Sequence, residues 1–424
     1  MHLIQAPRVV EPTAGHSTVR SPGWVLLDGD RVVGTGTGER PVAGEPGADA
    51  PATRLPDGVL APGLVDAQLN GAFGEDFAAA DDEGWATVLS RLPETGVTAT
   101  VPTLITAPLD ELAEGLRAFA ARRPRLAELP GAARALGVHV EGPFLAERRR
   151  GAHRAELLCD PTPDRVDALL EAGSGGALTY VTLAPEREHA VDAVRRFVAA
   201  GVRVAVGHTD ATDDVVSAAA DAGATLVTHL FNAQRPLRHR DPGTVGAALT
   251  DDRLTLGLIV DLHHVEPTAV RVAFGAAAGR VMLVTDSVAA MGMPPGRYEL
   301  GGQVLEVAPG RPPLREDGTI AGAAVRLDEA LANTVACGVD LATAVDAATR
   351  VPADALGRAD LGRLSPGALA DLVWLTDDLR ARATWVGGRL AWCSPEAAVA
   401  EPALRPGAAA RGHGDDDDVR EVHA

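Results

Sequence analysis

Cysteine is nearly absent from this chain: Cys159, Cys337 and Cys393 are the three among 424 residues, widely separated and never spaced as C-x-x-C. That excludes a disulfide framework and a cysteine-based zinc site, and leaves three buried, inert thiols. Aromatic residues are scarce at 3%, so the core is aliphatic and platforms for stacking nucleic-acid bases are few. Basic charge is outnumbered, 39 Lys and Arg against 58 Asp and Glu, for a formal net charge of −19. Such a surface lacks the counterion-release drive of nucleic-acid binding and is repelled by anionic membranes. No uncharged apolar run reaches the ~18 residues of a membrane span, and the N-terminus has no basic segment followed by an apolar signal stretch. The expectation is a soluble, cytoplasmic protein with no nucleic-acid and no membrane partner. No Walker loop or G-x-G-x-x-G follows a candidate strand, so no nucleotide cofactor is expected.

What is present is an ordinary globular composition, 46% hydrophobic and 23% charged, in a chain long enough for one large domain and a smaller one. Between residues 59 and 286 one theme recurs: a short apolar, β-branched run, then Gly, Pro or polar punctuation, then an Ala-rich stretch with helical spacing. Eight such runs occur: Val59–Asn70, Thr98–Thr103, Leu136–Glu141, Leu178–Leu183, Val202–His208, Leu226–His229, Leu256–Asp261 and Val281–Asp286. Intervening stretches such as Pro161–Ala172, Glu186–Ala200, Thr212–Ala222 and Pro267–Gly279 read as amphipathic helices. Strands alternating with helices pair in parallel, and eight of them predict an α/β fold closed as a (β/α)8 TIM-type barrel. The rival is an open doubly wound sheet. Gln68 with Asn70, Glu141, His208, His229 and Asp286 stand at the C-terminal ends of five of these runs; a barrel gathers those ends at one mouth, whereas an open sheet spreads them along an edge.

The flanks read differently. Gly23–Gly34 forms a strand, an Asp-Gly-Asp turn and a second strand, and Ala370–Leu375 with Thr384–Trp392 around Gly387-Gly388 forms another hairpin. The expected organisation is a small β-sandwich domain built from both termini (1–58 and 366–395), a barrel over 59–365, and a disordered tail over 396–424. Residues 287–365 read as a Gly/Pro-rich connection followed by helices near Asp328–Ala336 and Leu341–Ala348.

Eight of the twelve histidines lie between 139 and 264. In His139-Val140-Glu141-Gly142-Pro143, residues 139 and 141 share a face and Gly-Pro ends the strand, so Glu141 points into the mouth. A carboxylate buried there is costly without a cation. One Glu and two His from three strand ends, Glu141, His208 and His229, suit a catalytic metal site that keeps a position open for water. Asp286, ending the eighth run, suits a general acid/base beside that water; its bland alternative is a cap on the following turn.

These motifs, with Ala61-Pro-Gly-Leu-Val-Asp-Ala-Gln-Leu-Asn-Gly71, His139-Val-Glu-Gly-Pro-Phe144, Gly207-His-Thr-Asp-Ala-Thr212, Thr228-His-Leu-Phe-Asn-Ala233, Arg240-Asp-Pro-Gly243, Thr285-Asp286 and Leu364-Ser-Pro-Gly367, resemble the N-acetylglucosamine-6-phosphate deacetylase family of the amidohydrolase superfamily. The resemblance covers nearly the whole chain except the acidic tail. It implies that Glu141, His208 and His229 hold a metal and that Asp286 is the catalytic acid/base. Gln68 and Asn70 fall where many amidohydrolases place a His-x-His pair for a second metal. A neutral amide is a poor substitute there, so one divalent ion per subunit is expected, Zn²⁺ first and Fe²⁺ second.

The resemblance further implies that His153 and His264 contact the sugar and its acetamide, with the adjacent His263 an open alternative to His264. Arg240 would reach the 6-phosphate across a subunit interface in a homodimer or homotetramer, and Asn232 with the Ala233 N–H would make phosphate-side contacts. The sequence departs from the family at Gln234, often Met, and at Ala323, often Ser; Arg235 and Arg238 crowd the same loop as Gln234. The Arg148–Arg150 triplet reads as a solvated loop, and His413 beside Asp415–Asp418 as a flexible tail. The implied reaction is deacetylation of N-acetyl-D-glucosamine 6-phosphate, the partner being an amino-sugar phosphate. Other readings are the same chemistry on N-acetylgalactosamine 6-phosphate, a different amidohydrolase acting on cyclic amides or N-acyl amino acids, and a non-catalytic sugar-phosphate-binding barrel.

Overall fold

The computed structural model describes residues 1–15 and 17–401. Eight strands form the barrel: β1 (Leu64–Leu69), β2 (Val97–Ile105), β3 (Val138–Glu141), β4 (Leu178–Leu183), β5 (Arg203–Val206), β6 (Leu226–Val227), β7 (Thr255–Leu258) and β8 (Val281–Leu283). Each pairs in parallel with its successor. The seam from β8 back to β1 closes beyond the end of β8: Asp286 N donates to Gln68 O at 2.9 Å, Asn70 N donates to Ser287 O at 2.9 Å, and Leu69 bridges Ser287. Closure at this point sets Gln68, Asn70 and Asp286 side by side.

The last four runs were expected to be strands through His208, His229, Asp261 and Asp286, but their ladders stop two or three residues earlier. The chain leaves the sheet there through left-handed backbone, at His208, His229, Leu262 and Asp286, which bends the exit across the mouth. The helices Pro163–Ala172, Ala190–Ala199, Asp213–Asp221 and Pro267–Ala276 occupy four of the expected stretches. Ala190–Ala199 shows why: it buries Ala190, Ala193, Val194 and Phe197, one face at helical spacing.

The first expected run, Val59–Asn70, is two strands in two sheets. Val59–Pro62 pairs antiparallel with Leu372–Leu375 and in parallel with Val9–Glu11, whereas Leu64–Leu69 belongs to the barrel. The crossing is at Gly63, where a Cβ would lie 2.2 Å from the Thr98 side chain; only glycine passes between the sheets here. The barrel therefore begins after Gly63, not at residue 59.

The small domain is a sandwich made from both ends of the chain. One sheet runs Arg31–Thr37, Gly23–Asp28, His2–Ala6, Ala52–Arg54; the other runs Arg389–Cys393, Ala381–Val386, Leu372–Leu375, Val59–Pro62, Val9–Glu11, Thr18–Arg20. Ile4, Val25, Leu60, Leu372, Trp374 and Trp385 share its core. Two elements depart from expectation. An antiparallel hairpin, Gly296–Leu300 with Gln303–Val307, stands in the region read as a connection, ahead of the helices Leu327–Ala336 and Leu341–Ala348. Of the stretch 396–424 expected to be disordered, residues up to Ala400 lie in the helix Pro395–Ala400, capped by Ser394 and with Ala397 fully buried. Residues 402–424, including His413 and Asp415–Asp418, lie outside the described residues. Among the described residues no helix is long and apolar enough to cross a membrane.

Candidate active site

Glu141 is the last residue of β3, and it reaches the two histidines that stand two residues beyond β5 and β6. Its Oε1 lies 3.0 Å from His208 Nε2 and 3.1 Å from His229 Nε2, and the two Nε2 atoms are 3.0 Å apart. All three side chains are buried. In tetrahedral coordination, ligands about 2.0–2.1 Å from Zn²⁺ stand roughly 3.3 Å from one another, so this triangle needs only a few tenths of an ångström of widening to grip one ion. The tautomer fits too. His208 Nδ1 is 2.9 Å from the Arg149 carbonyl, which can only accept, so the proton sits on Nδ1 and the lone pair on Nε2 faces the cluster. Burial alone would raise the Glu141 carboxyl, but the two imidazoles outweigh it and hold the group well below the usual range. That lowering requires imidazole N–H groups turned to the carboxylate, the place a cation takes when the rings are neutral and their Nε2 lone pairs face inward.

Asp286 faces this cluster from the seam. Gln68 Nε2 at 3.0 Å and Asn70 Nδ2 at 2.8 Å both donate to its Oδ1, and Gln68 Nε2 also lies 3.3 Å from Glu141 Oε2. The amide N–H groups thus point at the carboxylates, and an N–H donor cannot ligate a metal. Burial, then the charge of Glu141, pushes the Asp286 carboxyl above its ordinary range. A raised carboxyl is suited to taking up and returning a proton. His208, His229 and Asp286 all have positive φ, at 47°, 29° and 49°, a strain that surrounding contacts must hold. For Asp286 those contacts include Ala323 N donating to Asp286 O at 2.9 Å. They also include Asp66, which accepts from Thr285 Oγ1 at 2.6 Å and Thr285 N at 3.2 Å. Ala323 acts here through its backbone.

A mouth cavity of about 380 Å³ is lined by Asn70, Glu141, His153, His208, His229, Asn232, Ala233, His264 and Asp286. Gln68 lies behind it, against the two carboxylates. Arg240 is not brought to this cavity: it is exposed, on the turn where Arg238 and Asp241 pair. The two neighbouring histidines differ in placement. His264 lines the cavity, whereas His263 is exposed. Asp261 fixes this arrangement, accepting the N–H groups of His263 and His264 on Oδ1 at 2.9 and 2.8 Å and meeting His264 Nδ1 with Oδ2 at 2.7 Å. Burial opposes ionisation of Asp261, but these contacts hold its carboxyl down to about 2. His153, buried and held neutral by that burial at about 3, meets Thr106 Oγ1 through Nδ1 at 2.8 Å.

Sequence reasoning missed Asp261 and Thr106. The D-x-x-H spacing was a signal for the first; nothing marked the second. Of the triplet read as a solvated loop, Arg148 and Arg150 are exposed and Arg149 is half-buried, and Arg148 and Arg149 also border the mouth cavity. His139, on the same strand face as Glu141, sits one layer deeper between Thr103 and Thr182 and stacks on Tyr180 at 3.8 Å, away from the cluster. Gln234 braces the loop by donating to Thr228 O at 2.7 Å and accepting from Phe231 N at 3.2 Å.

The pattern of the amidohydrolase family matches residues 59–391, and that family is metal-dependent. N-acetylglucosamine-6-phosphate deacetylase from Bos taurus is 39% identical over 351 residues, covering 80% of this chain and 85% of that protein. N-acetylgalactosamine-6-phosphate deacetylase from Escherichia coli O157:H7 is 38% identical over 339 residues, 78% of this chain and 88% of that one. Among solved structures, a mutant of the Mycobacterium smegmatis N-acetyl-D-glucosamine-6-phosphate deacetylase in complex with N-acetyl-D-glucosamine-6-phosphate superposes with a TM-score of 0.84 at 37% identity. It covers 92% of this chain and 99% of that one.

Proposed function

The chain belongs to the amidohydrolase family, and from that premise we propose that it hydrolyses the acetamide of N-acetyl-D-glucosamine 6-phosphate, releasing acetate and D-glucosamine 6-phosphate. The observation that carries the reading is the buried Glu141–His208–His229 triangle facing Asp286. Glu141, His208 and His229 would hold one divalent ion, Zn²⁺ before Fe²⁺, which when bound supplies Lewis acidity towards water and the acetamide carbonyl. Asp286 takes the proton of the attacking water and, once protonated, delivers it to the departing amine nitrogen. Gln68 and Asn70 hold Oδ1 throughout, orienting the carboxyl and occupying the place of a second ion.

His153 contacts the acetamide of the sugar. Thr106 Oγ1, whose proton goes to the Glu141 carbonyl at 3.2 Å, meets His153 Nδ1 at 2.8 Å and fixes the orientation of the ring at the mouth. His264, fixed by Asp261, contacts the sugar, and Asn232 with the Ala233 N–H meets the phosphate side. Arg240, exposed and outside the mouth of its own chain, serves a neighbouring subunit's phosphate, which requires a homodimer or homotetramer. The absence of a spanning helix among the described residues and the acidic composition support a cytoplasmic setting.

The C4 epimer is a second reading, because a relative at 38% identity is named for the galactosamine substrate. The test is acetate release by purified, metal-loaded protein on both phosphorylated epimers and on unphosphorylated N-acetylglucosamine. The reading expects the phosphorylated glucosamine derivative to have the highest kcat/KM. Binding without acetate release would instead support a non-catalytic barrel, and equal rates with and without phosphate would support a different amidohydrolase.

A further inference from the structure

We propose that Arg148 and Arg149 form, within one chain, the grip on the substrate phosphate; this rests on the deacetylase reading and adds to it two specificity-determining residues. Both residues line the mouth cavity that also holds Glu141, His208 and Asp286. Both are aimed by one carboxylate, Asp210. Arg149 places Nε at 2.8 Å and Nη2 at 2.7 Å from its Oδ1, and Arg148 places Nη1 at 3.1 Å from Oδ2. Arg148 thereby uses one of its five N–H donors and keeps a side chain that is 78% exposed. Its remaining donors are available to an anion at the mouth without Asp210 having to let go.

The aim of the pair is fixed from below. Asp210 N donates to Glu186 Oε1 at 2.6 Å, and Thr209 Oγ1 donates to Glu186 Oε2 at 2.5 Å. Thr209 N donates to Ala233 O at 3.1 Å, and Arg235 N donates to Thr209 O at 3.0 Å. The arginine loop is thus tied, through residues 209–210, to the segment that carries Asn232 and Ala233. That segment alternates into left-handed backbone at His229, Phe231 and Ala233, the geometry in which N–H groups converge on an anion. Ala233 N donates to no acceptor among the described residues. Two arginines and a free N–H therefore border one cavity. A phosphate dianion approaching a chain of net charge −19 needs such local donors to be held at all. The chain contains no lysine, so arginine is its only permanent cation for this task.

The test is kinetic, with Arg148→Met, Arg148→Lys and the Arg148→Met/Arg149→Met double variant, each checked for unchanged metal content because the Arg149 carbonyl orients His208. KM for the phosphorylated sugar should rise about tenfold in Arg148→Met and further in the double variant, with kcat within about threefold, and Arg148→Lys should recover much of the loss. The preference for phosphorylated over unphosphorylated N-acetylglucosamine should fall by the same factor. A preference unchanged within twofold in both methionine variants overturns the grip. Direct calorimetric binding of inorganic phosphate separates this from the functional reading. If wild-type protein released no acetate from any sugar, that reading would fail, yet loss of phosphate binding in Arg148→Met would still support the grip and unaltered binding would overturn it.

Discussion

Asp286→Asn removes a proton acceptor while leaving almost every neighbouring contact in place. The new side chain presents its own Oδ1 to the amides of Gln68 and Asn70, now at 3.0 and 2.8 Å from the carboxylate, and it is nearly the same shape. The two hydrogen bonds lose their charge assistance, roughly 1 kcal/mol each, but a buried charge that Glu141 repels is removed as well. The fold should therefore hardly change. Metal content should stay at one ion per chain, because Asp286 is not one of the three clustered ligands. The chemistry has no such compensation. Losing a positioned general base costs about 10²–10⁴ in rate, or roughly 3–5.5 kcal/mol of barrier, so kcat should fall by that factor with KM within a few-fold. The pH profile carries the sign. Asp286 must be ionised to accept a proton, and burial with Glu141 has moved its carboxyl upward. In the native enzyme kcat/KM should thus fall as pH drops through a midpoint above the ordinary carboxylate range. Acetate release measured from pH 5 to 9 beside metal analysis tests this. Turnover within tenfold of wild type at full metal content, or an acidic limb that survives the substitution, refutes the assignment.

Asp66→Asn should change stability in a pH-dependent way. Burial raises the Asp66 carboxyl from 3.8 to about 7, so its contribution is fully present below pH ~4 and is lost as pH rises through 7, at most about 4 kcal/mol. The variant lacks that loss and should gain on wild type between pH 5 and 8 in urea midpoints; a difference that does not grow with pH would contradict this. Chelation should lower the unfolding temperature, since an ion at 1,000 times its Kd adds about 4 kcal/mol. Glu141→Gln should lose at least half of that metal-dependent shift in a thermal melt, and a shift of wild-type size would remove Glu141 from the ligand set. Asp261→Asn weakens the hold on His264 and should raise KM for the phosphorylated sugar about tenfold, the worth of one charged hydrogen bond. Steady-state kinetics showing an unchanged KM would make the Asp261–His264 pair structural only.

Most of the barrel was legible because each strand is a short apolar run bounded by Gly, Pro or polar residues. The metal triangle was legible because Glu141, His208 and His229 each end such a run, and side-chain type at a strand end survives errors of two residues in the boundary. What hydrophobicity could not show is which sheet a residue joins. Val59–Val65 is apolar throughout, and only the space at Gly63, filled by Thr98, divides it. The hairpin Gly296–Val307 was hidden by Gly and Pro around strands whose outer face is polar. Asp261 and Thr106 act through hydrogen bonds to other functional side chains, a relation no linear spacing reports unless the partner is already known. Arg148 and Arg149 read as solvated because a basic triplet usually is, and Arg148 is exposed; what the triplet could not show is their shared partner Asp210, about sixty residues away, beside the mouth.

The site occupies the part of the barrel with the least sheet. β6 contributes two residues and β8 three, and the seam from β8 to β1 is closed beyond the strand by backbone bonds at Gln68, Asn70 and Asp286. Had β8 continued in the ladder to Asp286, that residue would have extended backbone and its side chain would alternate with its neighbours between barrel interior and helix layer. Leaving the ladder early frees His208, His229 and Asp286 to take left-handed turns that converge on one point, at the cost of strain and lost strand pairing. Buried polar contacts replace what the ladder would have supplied: Asp66 on Thr285, Ala323 on Asp286, the Arg149 carbonyl on His208 and Gln234 across the 228–231 turn. These braces hold strained residues and not the barrel as a whole, whose core lies in the strands and helices around them. Cutting one should therefore damage metal affinity or turnover before it damages the fold.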